Sequence, residues 1–449
     1  MWMAAALATR AHAEQPSYFS TQAALSGNST MALDRSGGSA WLNPAGLAGT
    51  SLSRIEASAT AFVLQLRDYS RAVVTDFPSG RHLLDANSSD VQTIPSALVF
   101  ARQLHPRVTG ALGVFVTNVE RHDIEGGLKT LEQYPNAPLP VEFLGRAKFT
   151  LTSQTYRVGP SFGVRVTPRF RIGFGVFVTY TTTQDSSAVT LDGVEVDGTE
   201  QPSRVYLSSV SQRRNTWFGG QLIVGAQYNP IAGLHLGLTI RSPVLGFTSS
   251  GKILRSTAAI TTGTAFPGKT FTFFQESPPR SAERLMLEPL EATFGVAYRF
   301  RRAAIGLELD LRAPLRVETF EIEDGLQWNA RLGAQLDLPK RLQLGLGVFT
   351  DQSPKRRGYY PGDHRSDYYG FSVALAFDSV LELKPAPQPR SLVFLTVVSV
   401  RYAAGFTALS GIRYAPKDTS LAELAQLVPV EQRELFHLLS LQISSSLAF

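Results

Sequence analysis

A chain of 449 residues holds either two or three ordinary domains or one very large closed sheet. It has no cysteine, which excludes a disulfide framework, a thiolate metal site and a cysteine nucleophile. The formal charge of +6, from 43 basic and 37 acidic residues without a basic stripe, points to no nucleic-acid partner.

Residues 1–13, MWMAAALATRAHA, are short and apolar and end in Ala11-His12-Ala13, a small-x-small cleavage pattern, so a signal peptide is expected here. Residues 14–50 include SGGSAWLNPAGLAG at 36–49, with neither a helical nor a strand period. Trp41, Leu42 and Leu47 need cover from water, and the irregular backbone needs hydrogen-bond partners. This stretch is expected to hide inside a larger shell as an N-terminal plug.

From residue 51 to the end, period-2 alternation recurs without a convincing long helix. Strands are predicted at 52–66, 92–104, 107–119, 147–167, 170–184, 204–228, 233–248, 282–300, 303–314, 326–338, 341–351, 368–379, 391–406 and 437–449. In RLQLGLGVFT, Leu342, Leu344, Leu346 and Val348 face one way and Gln343, Gly345, Gly347 and Phe349 the other. In IGLELDLR, Ile305, Leu307, Leu309 and Leu311 oppose Gly306, Glu308, Asp310 and Arg312. The longest apolar run, LVFLTVVSV at 392–400, is about half the length of a spanning helix. A membrane barrel escapes that test, because its lipid-facing and lumen-facing residues alternate.

The connections alternate in length. Tight turns fall at His105-Pro106, Pro168-Arg169, Asn229–Ala232, Arg301-Arg302 and Pro339-Lys340; long polar stretches lie near 67–91, 121–146, 185–203, 249–281, 315–325 and 352–366. Residues 419–435 read as a short helix in the last outer loop. This parity is the pattern of an outer-membrane barrel. The fold expected is all-β: an antiparallel transmembrane β-barrel of about fourteen strands over 51–449, plugged by 14–50, monomeric, with both barrel ends periplasmic. The alternating last strand ends in Phe449, which resembles the sorting signal read by the barrel-assembly machinery.

By alternation Phe115, Phe177, Trp217, Ile223 and Phe349 point into the lumen, as do Val393, Leu395 and Val397; such residues suit an apolar ligand or pack against the plug. Phe266, Phe271, Phe273 and Phe274 cluster in a stretch read as an outer loop, a candidate capture site. Arg165, Arg171, Arg241 and Arg331 are candidate partners for a fatty carboxylate, although lumen acids such as Glu308 or Asp337 compete for them. Catalysis is not expected. The seven His are scattered, and no G-x-S-x-G elbow, metal-ligand spacing or phosphate loop occurs, so neither a metal nor a cofactor is implied.

At WLNPAGLAG (41–49), IRSPVLGF (240–247), LEATFGVAYRF (290–300), GVFTDQSPKR (347–356) and the final aromatic, the chain resembles the FadL-like long-chain fatty acid transporters of Gram-negative outer membranes. The resemblance implies a fourteen-stranded barrel with an N-terminal hatch whose motif maps to Asn43, Pro44 and Ala45. It implies capture of hydrophobic molecules at the outer loops, past a lipopolysaccharide layer that would otherwise block them. A lumen pocket would follow, then sideways release into the outer-membrane lipid at a kink in the third strand, where Gly110 and Gly113 are the candidate weak points. The competing expectation is a structural or adhesive barrel that carries no ligand.

Overall fold

Fourteen antiparallel strands close into one barrel in the computed structural model, which describes residues 18–50, 53–77, 80–133, 139–196, 204–262, 270–276, 286–317, 322–354, 364–383, 390–414 and 430–449. They are β1 (Arg54–Phe77), β2 (Gly80–His105), β3 (Val108–Glu132), β4 (Val141–Arg165), β5 (Phe170–Glu195) and β6 (Arg204–Tyr228). Next come β7 (Leu234–Arg241, resuming at Val244–Thr262), β8 (Thr270–Glu276, Met286–Glu288 and Glu291–Arg299), β9 (Ala303–Arg312 and Leu315–Val317) and β10 (Ile322–Asp324 and Gln327–Leu338). The last four are β11 (Leu342–Asp351), β12 (His364–Leu383), β13 (Arg390–Tyr414) and β14 (Val430–Ala448). Each strand pairs with its sequence neighbour, and β1 closes the circle on β14 through Arg54↔Ala448 to Arg67↔Phe436. Among the described residues every strand has a partner on both sides.

The alternation sorts as the sequence predicts. On β9, Ile305, Leu307, Leu309 and Leu311 are exposed on the outer face, while Gly306 and Glu308 are buried inside. The same apolar outer face continues round the wall, for example Phe174, Val176 and Val178 on β5 and Phe371, Val373 and Leu375 on β12. An apolar surface of that extent needs lipid as its solvent. Near the tight turns, Phe170 packs on Tyr228 and Tyr298 on Phe300, the aromatic girdle expected at a membrane boundary.

Strand lengths differ from the expectation. β1 to β6 run 24 to 26 residues each, where about 9–11 span a bilayer. Most of the polar stretches read as loops are strand: β1 continues to Phe77, β2 begins at Gly80, β3 continues to Glu132, and β5 continues to Glu195. Beyond the bilayer the backbone ladder continues without any demand for an apolar face, so Ser, Thr and charged residues fill both sides and hide the period. The helix expected at 419–435 is likewise strand from Val430 onward, and 415–429 lie outside the described residues. On the other side of the barrel β9 and β11 stay short, and prolines interrupt the wall: Pro243 in β7, Pro289 in β8 and Pro314 in β9. Proline has no N–H to give a ladder.

Candidate functional site

Residues 18–50 lie inside the barrel. Three short helical turns shape them: Thr21–Leu25, capped by Ser20 whose Oγ accepts from Ala23 N at 2.9 Å; Ser39–Leu42; and the 3-10 turn Pro44–Gly49. The Asn-Pro-Ala element explains itself here. Asn43 Oδ1 accepts from Ala45 N at 3.2 Å, Pro44 opens the 3-10 turn, and Asn43 Nδ2 donates to Met31 O (2.9 Å) and to Ala226 O of β6 (3.2 Å). One side chain thus caps a turn, braces the segment and ties it to the wall. Ala45 is fully buried.

Two wall carboxylates hold the segment. Glu56 of β1, 1% exposed, accepts from Thr21 N (2.6 Å), Thr21 Oγ1 (2.8 Å) and Gly37 N (2.5 Å). Glu308 of β9 accepts from Thr30 N (2.8 Å) and Met31 N (3.0 Å). Between these anchors the wall has glycine at inward positions. A Cβ on Gly333 or Gly345 would lie 2.0 Å from the carbonyl oxygen of Ser26 or Leu25; one on Gly225 would lie 2.1 Å from Asn43 Oδ1, and one on Gly237 2.2 Å from Met31 O. Only bare backbone lets the segment approach this closely. Asp34, enclosed in the segment, accepts from Ser36 N and Oγ, and burial holds its carboxyl up at about 6.

Of the predicted lumen aromatics, Phe115 and Phe177 flank Trp41 with ring centroids 6.0 and 5.2 Å away, and Phe19 meets Phe115 at 6.0 Å. Ile223 and Val397 join that buried cluster, with Leu395 packed at its edge. Trp217 and Phe349 are also buried inside the wall, Phe349 beneath the Arg401 guanidinium at 3.9 Å, and Val393 is half-buried. The sequence could not tell a ligand-facing aromatic from one that packs on the inserted segment, because both point inward.

Above Trp41 lies a polar chamber, a cavity of about 90 Å³ with room for several waters. Asn28, Met31, Trp41 and Leu42 of the inserted segment form one side. Arg157 Nη2 meets Glu288 Oε2 at 2.5 Å, Arg241 Nη1 meets Glu291 Oε1 at 2.7 Å, and Arg331 Nη1 meets Glu308 Oε1 at 2.7 Å and also Asp310. The Arg157 and Arg241 guanidiniums sit 4.6 and 5.1 Å from the Trp41 ring. Two of the four predicted carboxylate partners, Arg241 and Arg331, therefore line the chamber, each already paired with an acid. The other two do not reach it. Arg165 Nη2 donates to Ala48 O at 3.0 Å, and Arg171 Nη1 to Gln227 Oε1 at 3.3 Å. Asp337 accepts from Gln343 Nε2 instead of an arginine.

The chamber abuts a fault in the wall. β2 and β3 pair at Ala86↔Gly126 and Asn87↔Glu125, then again from Ala97↔Phe115, with no backbone pairs between 88–96 and 116–124. The β3–β4 register shifts at Thr117, which bulges out of the ladder and receives the Arg157 guanidinium. Residues 115–118 are all buried in succession, so alternation breaks there. Thr117 and Asn118 line the chamber and belong to the unladdered stretch. The distortion of the third strand thus falls at Thr117 and not at Gly110 or Gly113, both regularly paired with β4; the missing Cβ of Gly113 makes room for the Phe115 ring. Val63, Ile94, Val116, Phe436 and Leu438 form an apolar patch of the inner wall next to the fault.

Phe271, Phe273 and Phe274, expected in a loop, belong to the part of β8 that pairs with β7, and Phe266 lies outside the described residues. Phe449 is exposed at the barrel end that carries the tight turns, its N–H bonded to Ser53 O at 3.0 Å.

A closed fourteen-stranded wall, an apolar outer face and a lumen occupied by the N-terminal segment define a transmembrane β-barrel with a filled interior. No protein-family model matches the sequence, and no curated relative matches it either. Among solved structures, a Pseudomonas aeruginosa FadL homologue is similar over 98% of this chain and 99% of its own, with a TM-score of 0.59 and 12% identity. The CymD monoaromatic hydrocarbon channel is similar at a TM-score of 0.48 and 13% identity over 96% of this chain and 97% of its own. The Pseudomonas putida toluene transporter TodX is similar at 0.45 and 12% over 97% and 99%. The chain has the FadL-type fold.

Proposed function

We propose that this barrel passively carries hydrophobic molecules inward across the outer membrane, with residues 18–50 as its hatch and sideways release between β2 and β3. The observation that carries the reading is the coincidence of chamber and fault: Thr117 and Asn118 line the one and lie in the other. A wall without backbone pairs can part there at little cost, since no ladder has to break, and the adjoining patch of Ile94, Val116 and Phe436 gives an apolar solute a path to lipid. Burial of a long alkyl chain supplies roughly 0.8 kcal/mol per methylene, which suffices to draw it from a polar outer layer. In this reading the tight-turn end faces the periplasm, the tall strands β1 to β6 stand outward through the lipopolysaccharide, and Phe449 addresses the assembly machinery.

The absence of native cysteine makes the test clean. Ile94→Cys and Asn118→Cys stand opposite each other across the fault if the flanking register is continued. Bridging the pair with a short bismaleimide is expected to abolish the protein-dependent uptake of a labelled fatty acid into vesicles that the same double variant shows before bridging. Parental uptake by the bridged barrel would refute sideways release. No protein-dependent uptake of any hydrophobic solute by the parent would leave a structural barrel.

A further inference from the structure

The charged groups of the chamber largely satisfy one another, whereas several of its neutral groups are left open. Arg157, Arg241 and Arg331 each hold a carboxylate at hydrogen-bond distance. Among the described residues four arginines and five carboxylates line the cavity, so it offers no surplus of positive charge. Three amide side chains in the same lining behave differently. Asn28, Asn118 and Gln221 are 7%, 4% and 3% exposed, and Asn28 Oδ1, Asn118 Nδ2 and Gln221 Oε1 have no hydrogen-bond partner. The Gln221 amide is oriented by its Nε2, which donates to Ser242 O at 2.9 Å, so the open atom is the acceptor. Buried amide atoms without partners are rare in folded proteins and ask for a water or a ligand.

We propose that the chamber selects amphiphiles whose head is uncharged and both donates and accepts hydrogen bonds, such as a primary amide or a glyceride, over fatty carboxylates. The inference rests on the transport reading above and names its substrate class. At Arg157, Arg241 or Arg331 an arriving carboxylate would have to take the guanidinium from Glu288, Glu291 or Glu308 and leave that acid without its counter-charge, an unfavourable exchange. An amide head meets two open acceptors and an open donor with no ion pair broken. The Nε atoms of Arg157 and Arg241 are also unpartnered, and they add donors without adding unpaired charge. Arg312 is the one lining arginine with no ion pair among the described residues, and it is where an anion would have to bind if this inference is mistaken.

Decanamide and decanoate share a chain and differ in head charge at pH 8, so they form the probe pair. Equilibrium binding of each, radiolabelled, is measured on the full chain in nanodiscs with empty nanodiscs subtracted, and vesicle uptake of both runs alongside. Decanamide is expected to bind saturably and at least tenfold more tightly than decanoate, with Asn118→Leu losing at least tenfold of that. Should Asn118→Leu not fold, Gln221→Met reports the same loss. Equal or tighter binding of decanoate, above all if Arg312→Met removes it, overturns the selection while transport stands. Protein-dependent uptake with no head preference does the same. If neither probe binds and uptake of both equals that of empty vesicles, the transport reading falls and the selection with it.

Discussion

Removing the Glu56 carboxylate should loosen the inserted segment without loosening the barrel. Glu56 is buried and accepts three hydrogen bonds from two separate turns of the inserted segment, at Thr21 and Gly37. In Glu56→Ala the backbone N–H groups of Thr21 and Gly37 lose their acceptor inside the lumen. Leaving a buried donor unsatisfied costs about 1–3 kcal/mol, so the two together cost about 2–6 kcal/mol. At about 1.4 kcal/mol per decade, even the lower figure raises the open fraction of the inserted segment roughly thirtyfold. Hydrogen exchange followed by mass spectrometry reads this directly: peptides within 18–50 should exchange at least thirtyfold faster, while peptides from β11 keep their protection. Unchanged exchange in 18–50 would show that Glu56 is not an anchor. An equal rise in every strand would show that segment and wall open only together, which equally refutes local anchoring.

Gly333→Ala places a methyl 2.0 Å from Ser26 O and should cost about 1–3 kcal/mol in thermal or denaturant unfolding, whereas Gly127→Ala, with a nearest atom at 3.7 Å, should be close to neutral. Leu307→Arg puts a guanidinium on the outer face at mid-strand, and unfolding from lipid vesicles should show a loss of about 2–4 kcal/mol. The Asp34 carboxyl, raised to about 6, binds its proton more tightly in the folded chain than in the unfolded one. Its contribution is therefore complete at low pH and is lost as pH rises through 6. Exchange of residues 30–36, corrected for intrinsic rates, should speed up between pH 5 and pH 7.5, and Asp34→Asn should remove that dependence.

The membrane-crossing part of the fold was legible because lipid imposes a rule on every second residue. All fourteen strands were placed, and the pattern around Leu307 and Leu346 gave the correct face. Outside the bilayer the rule lapses, so the upper halves of β1, β2, β3 and β5 read as loops. The burial of the N-terminal segment was legible from Trp41 and Leu47, greasy residues in a stretch with no period. Its seat was not, because Gly225, Gly237, Gly333 and Gly345 act by lacking a side chain; the signal was present as glycine recurring at inward positions of successive strands. The wall fault was sought at glycines and lies at Thr117, since a bulge records a mismatch between two partners and one strand alone does not display it. The chamber's charge was half visible. Glu308 and Arg331 were both read as inward, but Arg157 pairs with Glu288 across 131 positions of sequence, a distance over which alternation says nothing.

The glycine positions also bear on how such a molecule is made. Where Gly237, Gly333 and Gly345 face inward, the wall contributes almost no core of its own, and Leu25, Ser26 and Met31 supply what the strands omit. An interior assembled from strands alone would be a bare tube at that level, its width set by strand number and stagger with nothing packed inside. The inserted segment precedes β1 in the chain, and β1 is also the strand that meets β14 to complete the ring. Synthesis therefore delivers the mandrel before the hoop, and the seam that completes the ring is joined directly to the piece the wall encloses.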